Sequence, residues 1–224
     1  MCGRFTLVTP PEILAALFEA DSSDWNDPRY NIAPQVRIVA VRGARPPRAT
    51  QVLLWGAANP RDKRPLINAR SETVPTSPLF ARAFAQSRVL VPADGFFEWT
   101  TSGARKVGRY FQRPGGGPFA FAGIAVDDVL SAEAGGAAVI LTTAAAPSVS
   151  EYHNRMPLLV QPSDFERWLA PDPDSRGALE VIERGALTQW TSHPVGPSVN
   201  NVRNDSPENI RATEPEPERQ GALF

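Results

Sequence analysis

Arg88-Val89-Leu90-Val91-Pro92-Ala93-Asp94-Gly95-Phe96-Phe97-Glu98-Trp99-Thr100 opens the strand-rich half of the chain and decides its fold. From there, strands are predicted over Arg88–Pro92, Gly95–Thr100, Arg109–Arg113, Phe119–Val126, Ala137–Thr143 and Met156–Val160. Turn formers such as Gly115-Gly116-Gly117 and Gly135-Gly136 separate them. Upstream, Arg4–Val8, Val36–Arg42 and Gln51–Ala57 also read as strands. Thr9-Pro10-Pro11-Glu12 has the form of a capping box with proline in the first turn, which predicts a helix to about Phe18. Ser77-Pro78 opens a second helix to about Gln86, and helices return at Ser163–Leu169 and Arg176–Arg184. Strands and helices do not alternate regularly. The pattern therefore predicts one α+β domain with a mainly antiparallel, barrel-like β core and peripheral helices, not a parallel α/β fold. Pro215, Pro217 and several charges mark residues 212–224 as a disordered tail, leaving 2–211 as the domain.

With 224 residues, 42% of them hydrophobic, the chain is long enough to bury a substantial core. No apolar run approaches the roughly 20 residues that span a bilayer, and the N-terminus lacks a secretory signal, so a soluble intracellular protein is expected. A single cysteine excludes an internal disulfide. With two histidines and no cysteine pair, metal-ligand spacing is missing, and neither a metal nor another cofactor is expected. Net charge is −1, but it is unevenly placed: residues 1–113 hold 16 Lys and Arg against 9 Asp and Glu, and residues 114–224 hold 7 against 15. Such asymmetry permits a basic face, and its cations are almost all arginine, which suits forked phosphate contacts.

Cys2 directly follows the initiator methionine. Trimming Met1 would leave an α-amine and a thiol on adjacent carbons, a 1,2-aminothiol that captures aldehydes, with reference pKa values of about 8 and about 8.5. The bland reading is a small buried hydrophobe. Asn68-Ala69-Arg70-Ser71-Glu72-Thr73 lies between a strand and a helix, where its polar side chains either face a cleft or merely cap a loop. Glu98 sits inside an aromatic strand on the same face as Phe96, as a paired structural carboxylate or as a proton-transfer group with a raised pKa. In His153-Asn154-Arg155-Met156-Pro157 a histidine and an arginine share one side if extended, although an ordinary hydrogen-bonded surface histidine is the default.

Together with Met1-Cys2-Gly3-Arg4-Phe5, Tyr30-Asn31-Ile32-Ala33-Pro34 and Val199-Asn200-Asn201-Val202-Arg203, these motifs resemble the SOS response-associated peptidase (SRAP) family. Members of that family crosslink themselves to abasic sites in single-stranded DNA, and the resemblance covers residues 2 to 211. It implies Cys2 as nucleophile, with Asn68, Glu98 and His153 completing the active site. It also implies phosphate contacts from Arg4, Arg70 and Arg155, and a DNA cleft shaped by Pro34, Trp55 and Trp99. The implied product is a thiazolidine formed by the Cys2 amine and thiol with the ring-opened sugar aldehyde. β-Elimination and self-processing at Met1 are accessible beside it. The implied partner is single-stranded DNA containing abasic sites, bound by a monomer in the cytoplasm and at the nucleoid. Val89, Ala144 to Ala146 and Gly103 to Arg109 depart from the family pattern, outside the proposed catalytic set. Two rival classes are a glutamine amidotransferase with an N-terminal cysteine, to which Arg4-Phe5 is ill suited, and a non-catalytic single-strand binder, which leaves Cys2 unexplained.

Overall fold

The computed structural model describes residues 2–21, 24–25, 27–102, 105–127, 135–172, 174–185 and 189–213. In chain order its elements are β1 (Phe5–Leu7), α1 (Pro11–Phe18), β2 (Arg29–Ile32), β3 (Arg37–Arg42), β4 (Ala49–Trp55), β5 (Asn68–Arg70) and α2 (Ala81–Gln86). Then come β6 (Arg88–Ala93), β7 (Gly95–Ser102), β8 (Arg105–Gln112), β9 (Phe119–Val126), β10 (Ala137–Ala144) and α3 (Pro147–Ser150). The chain continues through β11 (Arg155–Pro157), β12 (Leu159–Val160), α4 (Phe165–Leu169), α5 (Arg176–Gly185) and β13 (Thr191–Val195).

One sheet is antiparallel throughout, in the order β13-β8-β7-β1-β2. In the other, β10, β4, β3, β6 and β9 pair in succession and β9 pairs back onto β10, so the strands close a ring. Among the described strands only the pairings of β10 with β4 and with β5 are parallel, beside one isolated parallel bridge between Ala20 and Arg48. The fold is thus α+β with mostly antiparallel sheets and few helices, and the barrel-like core expected from the sequence takes the form of this ring.

Alternation along the ring strands explains why they read as continuous apolar runs. Leu90, Ala122, Ile124, Val139 and Leu141 join a cluster with Leu14 and Phe18 of α1, Phe84 of α2, Trp168 of α4 and Val181 of α5. Their neighbours Val89, Val91, Phe121, Ala138 and Ile140 join a second cluster with Cys2, Phe5, Trp55, Phe96 and Trp190. Both faces are buried, so no position is left for a polar residue to mark the period. Phe5 packs edge-on against Trp55 and Phe121 with centroids 5.0 and 5.8 Å away, pinning β1 against the ring. Truncating such a phenylalanine costs about 3–5 kcal/mol.

β10 positions the site by changing neighbours along its length. Ala137 and Ala138 pair with β4, whereas Ile140, Leu141 and Thr142 pair with Asn68, Ala69 and Arg70 of β5. On its other edge, β9 occupies Ala137 to Ile140, and β11 then pairs Thr142 to Ala144 with Pro157 to Arg155. The strand therefore leaves the ring carrying Asn68 on one side and the segment after His153 on the other.

Several local expectations are corrected. The capping box at Thr9 does not form: α1 has no side-chain cap, because the Thr9 hydroxyl and the Val8 and Thr9 amides all donate to the buried Asp94 carboxylate. The helix expected from Ser77 starts at Ala81 after a 3-10 turn over Val74–Thr76. The strand expected over Met156–Val160 divides at Leu158, whose amide donates to Leu141 at 2.9 Å while its carbonyl accepts from Ala122 at 2.8 Å, moving the chain from β10 to β9. Of the tail, Ala212 forms a β-bridge with Val195 and Thr213 donates to the Pro194 carbonyl at 3.0 Å, while residues 214–224 lie outside the described residues.

Candidate active site

Cys2 is wholly buried at the head of β1, an interior strand of the antiparallel sheet. Its Sγ lies 3.7 Å from the Arg4 carbonyl oxygen, to which the thiol donates. Burial pushes the thiol well above its usual pKa, and the negative charge of Glu98 adds to the effect. Asn68 Nδ2 donates to the Cys2 carbonyl oxygen at 2.8 Å. Asn68 Oδ1 is also buried, without a hydrogen bond among the described residues.

Glu98 is 4% exposed and reaches this position through the β1–β7 ladder. Phe5 pairs with Phe96 and the Phe97 amide donates to the Arg4 carbonyl at 3.0 Å, so Glu98 comes opposite the residues before Arg4. Strand alternation gives it the same face as Phe96, which belongs to the cluster containing Cys2. Burial pushes its carboxyl up to about 7. His153 follows α3, with its amide donating to Val149 at 3.0 Å. Its Nδ1 accepts from the Arg155 amide at 2.9 Å and lies 3.1 Å from the Arg155 carbonyl oxygen. The amide pairs with an unprotonated Nδ1 and the carbonyl with a protonated one, so Arg155 addresses this nitrogen in either tautomer. Burial, foremost among several causes, lowers the imidazole pKa.

Gly3 and Arg4, which follow Cys2, line a cleft of about 780 Å³ with Ala33, Pro34, Val36, Trp99, Lys106, Asn200 and Val202, while Cys2, Asn68, Glu98 and His153 are not among its lining residues. Three residues assigned to the cleft and its phosphates thus line one surface. Arg4 Nη1 donates to Asn31 Oδ1 at 2.6 Å and to the Val199 carbonyl at 2.7 Å, and its guanidinium lies 5.6 Å over the Trp99 ring. Trp99 Nε1 donates to Asn200 Oδ1 at 2.7 Å. Arg70 is exposed at the end of β5, near the carboxylate of Glu72. Arg155 is held by Glu72 through paired contacts of 2.6 and 2.8 Å. Trp55 lies in the core, 0% exposed, with Nε1 donating to Ile67 at 3.1 Å, so it backs Phe5 and does not face the cleft.

Three residues within the quoted motifs have contacts that the sequence did not disclose. Asn31 is buried and presents Nδ2 to the carbonyls of Val199, Asn201 and Asn204, clasping the segment after β13 onto β2. Asn200 holds Trp99, and Glu72 holds Arg155. Spacing alone carries no signal for these pairs, whose partners lie from 83 to 173 positions away. Among the described residues no group of three or more His, Cys, Asp or Glu side chains is placed to hold a metal ion. None of the described helices is long and apolar enough to cross a membrane.

Fold and site together define an α+β protein that buries the cysteine near the start of its own chain and lines a cleft with the two residues that follow it and with Trp99. The chain belongs to the SOS response associated peptidase (SRAP) family, whose model matches residues 1–202. The abasic site processing protein YedK of Escherichia coli (strain K12) is 32% identical over 220 residues, spanning 94% of this chain and 99% of that protein. The abasic site processing protein YoqW of Bacillus subtilis (strain 168) is 28% identical over 227 residues, spanning 95% of this chain and 100% of that protein. A crystal structure of a protein from Bacteroides thetaiotaomicron shares the fold, with a TM-score of 0.77 at 20% identity, covering 95% of this chain and 100% of that one. A phage-related protein from Bordetella bronchiseptica gives a TM-score of 0.71 at 26% identity, covering 87% of this chain and 94% of that one.

Proposed function

We propose that this protein processes abasic sites in single-stranded DNA by linking Cys2 covalently to the ring-opened sugar. The observation that carries this reading is the pinning of Cys2 by Asn68 near a carboxyl raised to about 7, one residue from a cleft lined by Gly3, Arg4, Pro34 and Trp99. The names of the curated relatives, each called an abasic site processing protein, support the same substrate.

Removal of Met1 frees the Cys2 amine. Glu98, its carboxyl pushed up toward neutrality by burial, takes a proton from the ammonium group when ionised. The neutral amine adds to the aldehyde carbon, and Glu98 returns the proton to the departing hydroxyl, so water and an iminium result. Burial keeps the Cys2 thiol neutral until that stage. The iminium charge then favours thiolate formation beside it, sulfur adds to the iminium carbon, and the thiol proton passes to a nearby base. Amine, thiol and aldehyde thus give a thiazolidine and one water. His153, neutral because its pKa is lowered, takes the proton released by the anomeric hydroxyl during ring opening and returns it to the sugar ring oxygen as the bond to that oxygen breaks. Asn68 holds the Cys2 carbonyl so that both nucleophiles meet one carbon. The same iminium acidifies the adjacent sugar carbon, and ring closure by sulfur suppresses the β-elimination that would follow.

The test is a denaturing gel of the protein, its Met1 status fixed by intact mass, with a single-stranded oligonucleotide carrying one abasic site. A heat-stable adduct is expected from the processed chain. Cys2→Ala should give an adduct only after borohydride trapping, accompanied by strand cleavage, and a chain extended before Cys2 should give none. A durable adduct from the extended chain would instead indicate attack by the thiol alone. No adduct from the processed chain would overturn the reading.

A further inference from the structure

We propose that Glu72 is a positioning residue for His153, acting through Arg155 across β10. The inference rests on the reading of His153 as an acid–base group given above.

Arg155 brings two backbone groups to the His153 ring, the amide at 2.9 Å and the carbonyl at 3.1 Å from Nδ1. The orientation of the imidazole is therefore coupled to the placement of that residue's backbone. That residue is fixed in turn through its side chain. Arg155 Nη1 and Nη2 grip the two Glu72 carboxylate oxygens at 2.6 and 2.8 Å, and Nη2 also donates to the Thr142 carbonyl. The Ser71 amide donates to the same carbonyl at 2.9 Å. Thr142 pairs with Arg70 on one edge of β10 and with Pro157 on the other. The ion pair consequently bridges three strands, tying the end of β5, which carries Asn68, to the start of β11, which follows His153.

An ordinary surface pair would not bear this argument, since exposed pairs contribute little. Here the arginine side chain is 14% exposed and the glutamate 49%, and the contact is a two-pronged, charge-assisted one that fixes direction as well as distance. The arginine holds the Glu72 carboxyl below its usual pKa. Without that carboxylate, a largely buried guanidinium keeps only Thr142 as a described partner, and the backbone that orients His153 is held by its pairing with Ala144 of β10 alone. A competing reading makes Glu72 a place-holder for a DNA phosphate on Arg155, and it predicts a different kinetic result.

The experiment compares the full chain with Glu72→Gln and Glu72→Asp. Crosslinking rate is measured at saturating abasic DNA, affinity is measured for an undamaged single strand, and the imidazole nitrogens are followed by 15N NMR. With two histidines in the sequence, His193, whose Nε2 lies 2.8 Å from the Ile210 carbonyl, is an internal control. Glu72→Gln should slow the saturated rate about 10- to 100-fold, the cost of a misplaced reacting group. Its affinity should stay unchanged, and the His153 nitrogens should shift toward tautomer averaging while those of His193 hold still. Glu72→Asp, which keeps the charge, should retain more of the rate than Gln. Tighter, more salt-sensitive binding with an unchanged rate and unchanged His153 signals would overturn the proposal in favour of the place-holder, and no change in any readout would reduce the pair to a structural contact. If the wild-type chain forms no adduct at all, the functional reading fails, whereas the NMR comparison still decides whether Glu72 orients His153.

Discussion

Asn68 and Cys2 are joined by a 2.8 Å hydrogen bond from a side-chain amide to a main-chain carbonyl, across 66 positions of sequence. Asn68 is itself fixed by its register against Ile140 of β10, so the start of the chain takes its position from the strand that also sets β11.

Asn68→Ala should leave the Cys2 carbonyl unpaired in a buried setting. A lost bond of this kind is worth about 1–3 kcal/mol, equivalent to about a 5- to 150-fold slower crosslinking rate at saturating DNA. Asn68→Asp should be no better, because a carboxylate would face the carbonyl oxygen and repel Glu98. Quenched single-turnover gels give the rates, and a wild-type rate in Asn68→Ala would confine the bond to folding.

Glu98 predicts a pH dependence of stability with a definite sign. Its carboxyl is raised from 4.5 to about 7, so between those values the folded chain keeps a proton that the unfolded chain has released. Stability should therefore fall as pH rises through this window and level off above it, by at most about 3 kcal/mol from this group. Glu98→Gln should flatten that slope. Urea midpoints from pH 5 to pH 8 for both proteins measure it, and equal slopes would contradict the raised pKa. The crosslinking rate should rise through the same pH range in the wild type and lose that dependence in the Gln variant.

Asn200 and Arg70 should affect DNA binding differently. Asn200→Ala removes the acceptor that orients Trp99. The affinity for undamaged single strands should drop by about 2- to 10-fold, one hydrogen bond's worth, with the salt dependence unchanged. Arg70→Ala should instead flatten the slope of log affinity against log salt by about 0.7, as expected for one phosphate contact on a single strand. Titrations at several salt concentrations separate the two, and an unaltered Arg70 slope would remove it from the interface.

Gly95 tests the packing beneath the site. A Cβ there would lie 2.3 Å from the Tyr110 ring and hydroxyl and 2.6 Å from the Phe111 carbonyl oxygen. Tyr110 has little room to yield, being buried and hydrogen-bonded to Thr6 at 2.8 Å. Gly95→Ala should destabilise the fold by about 3 kcal/mol, read from urea unfolding, and a loss near zero would mean that β7 and β8 separate easily.

The ring strands were legible because residues such as Val89 to Val91 and Phe119 to Ile124 are apolar on both faces, which few structures other than buried strands accommodate. β2, β5 and β13 were not. Asn68 to Arg70 is too short and polar to show a period, and Pro194 argues against a strand unless, as here, the strand lies at a sheet edge. At the site, the motifs supplied residue types but not partners. Thr9 looked like a helix cap because its competitor, Asp94, lies 85 positions away. Trp55 looked like a surface for DNA, yet Phe5 and Ile67 claim it for the core. Long-range competition for polar groups and for aromatic faces decided each of these cases.

The interior position of β1 bears on how long a protein stays on its DNA. β1 is hydrogen-bonded to β7 on one edge and β2 on the other, and Phe5 is buried against the ring. On the proposed chemistry, Cys2, the residue tied to the sugar, sits three positions before the first residue of that strand. A protease must wait for its neighbouring strands to separate before it can trim the protein back to a short peptide. The durability of the mark on damaged DNA would then be set by the opening rate of the sheet, whatever the chemical strength of the bond.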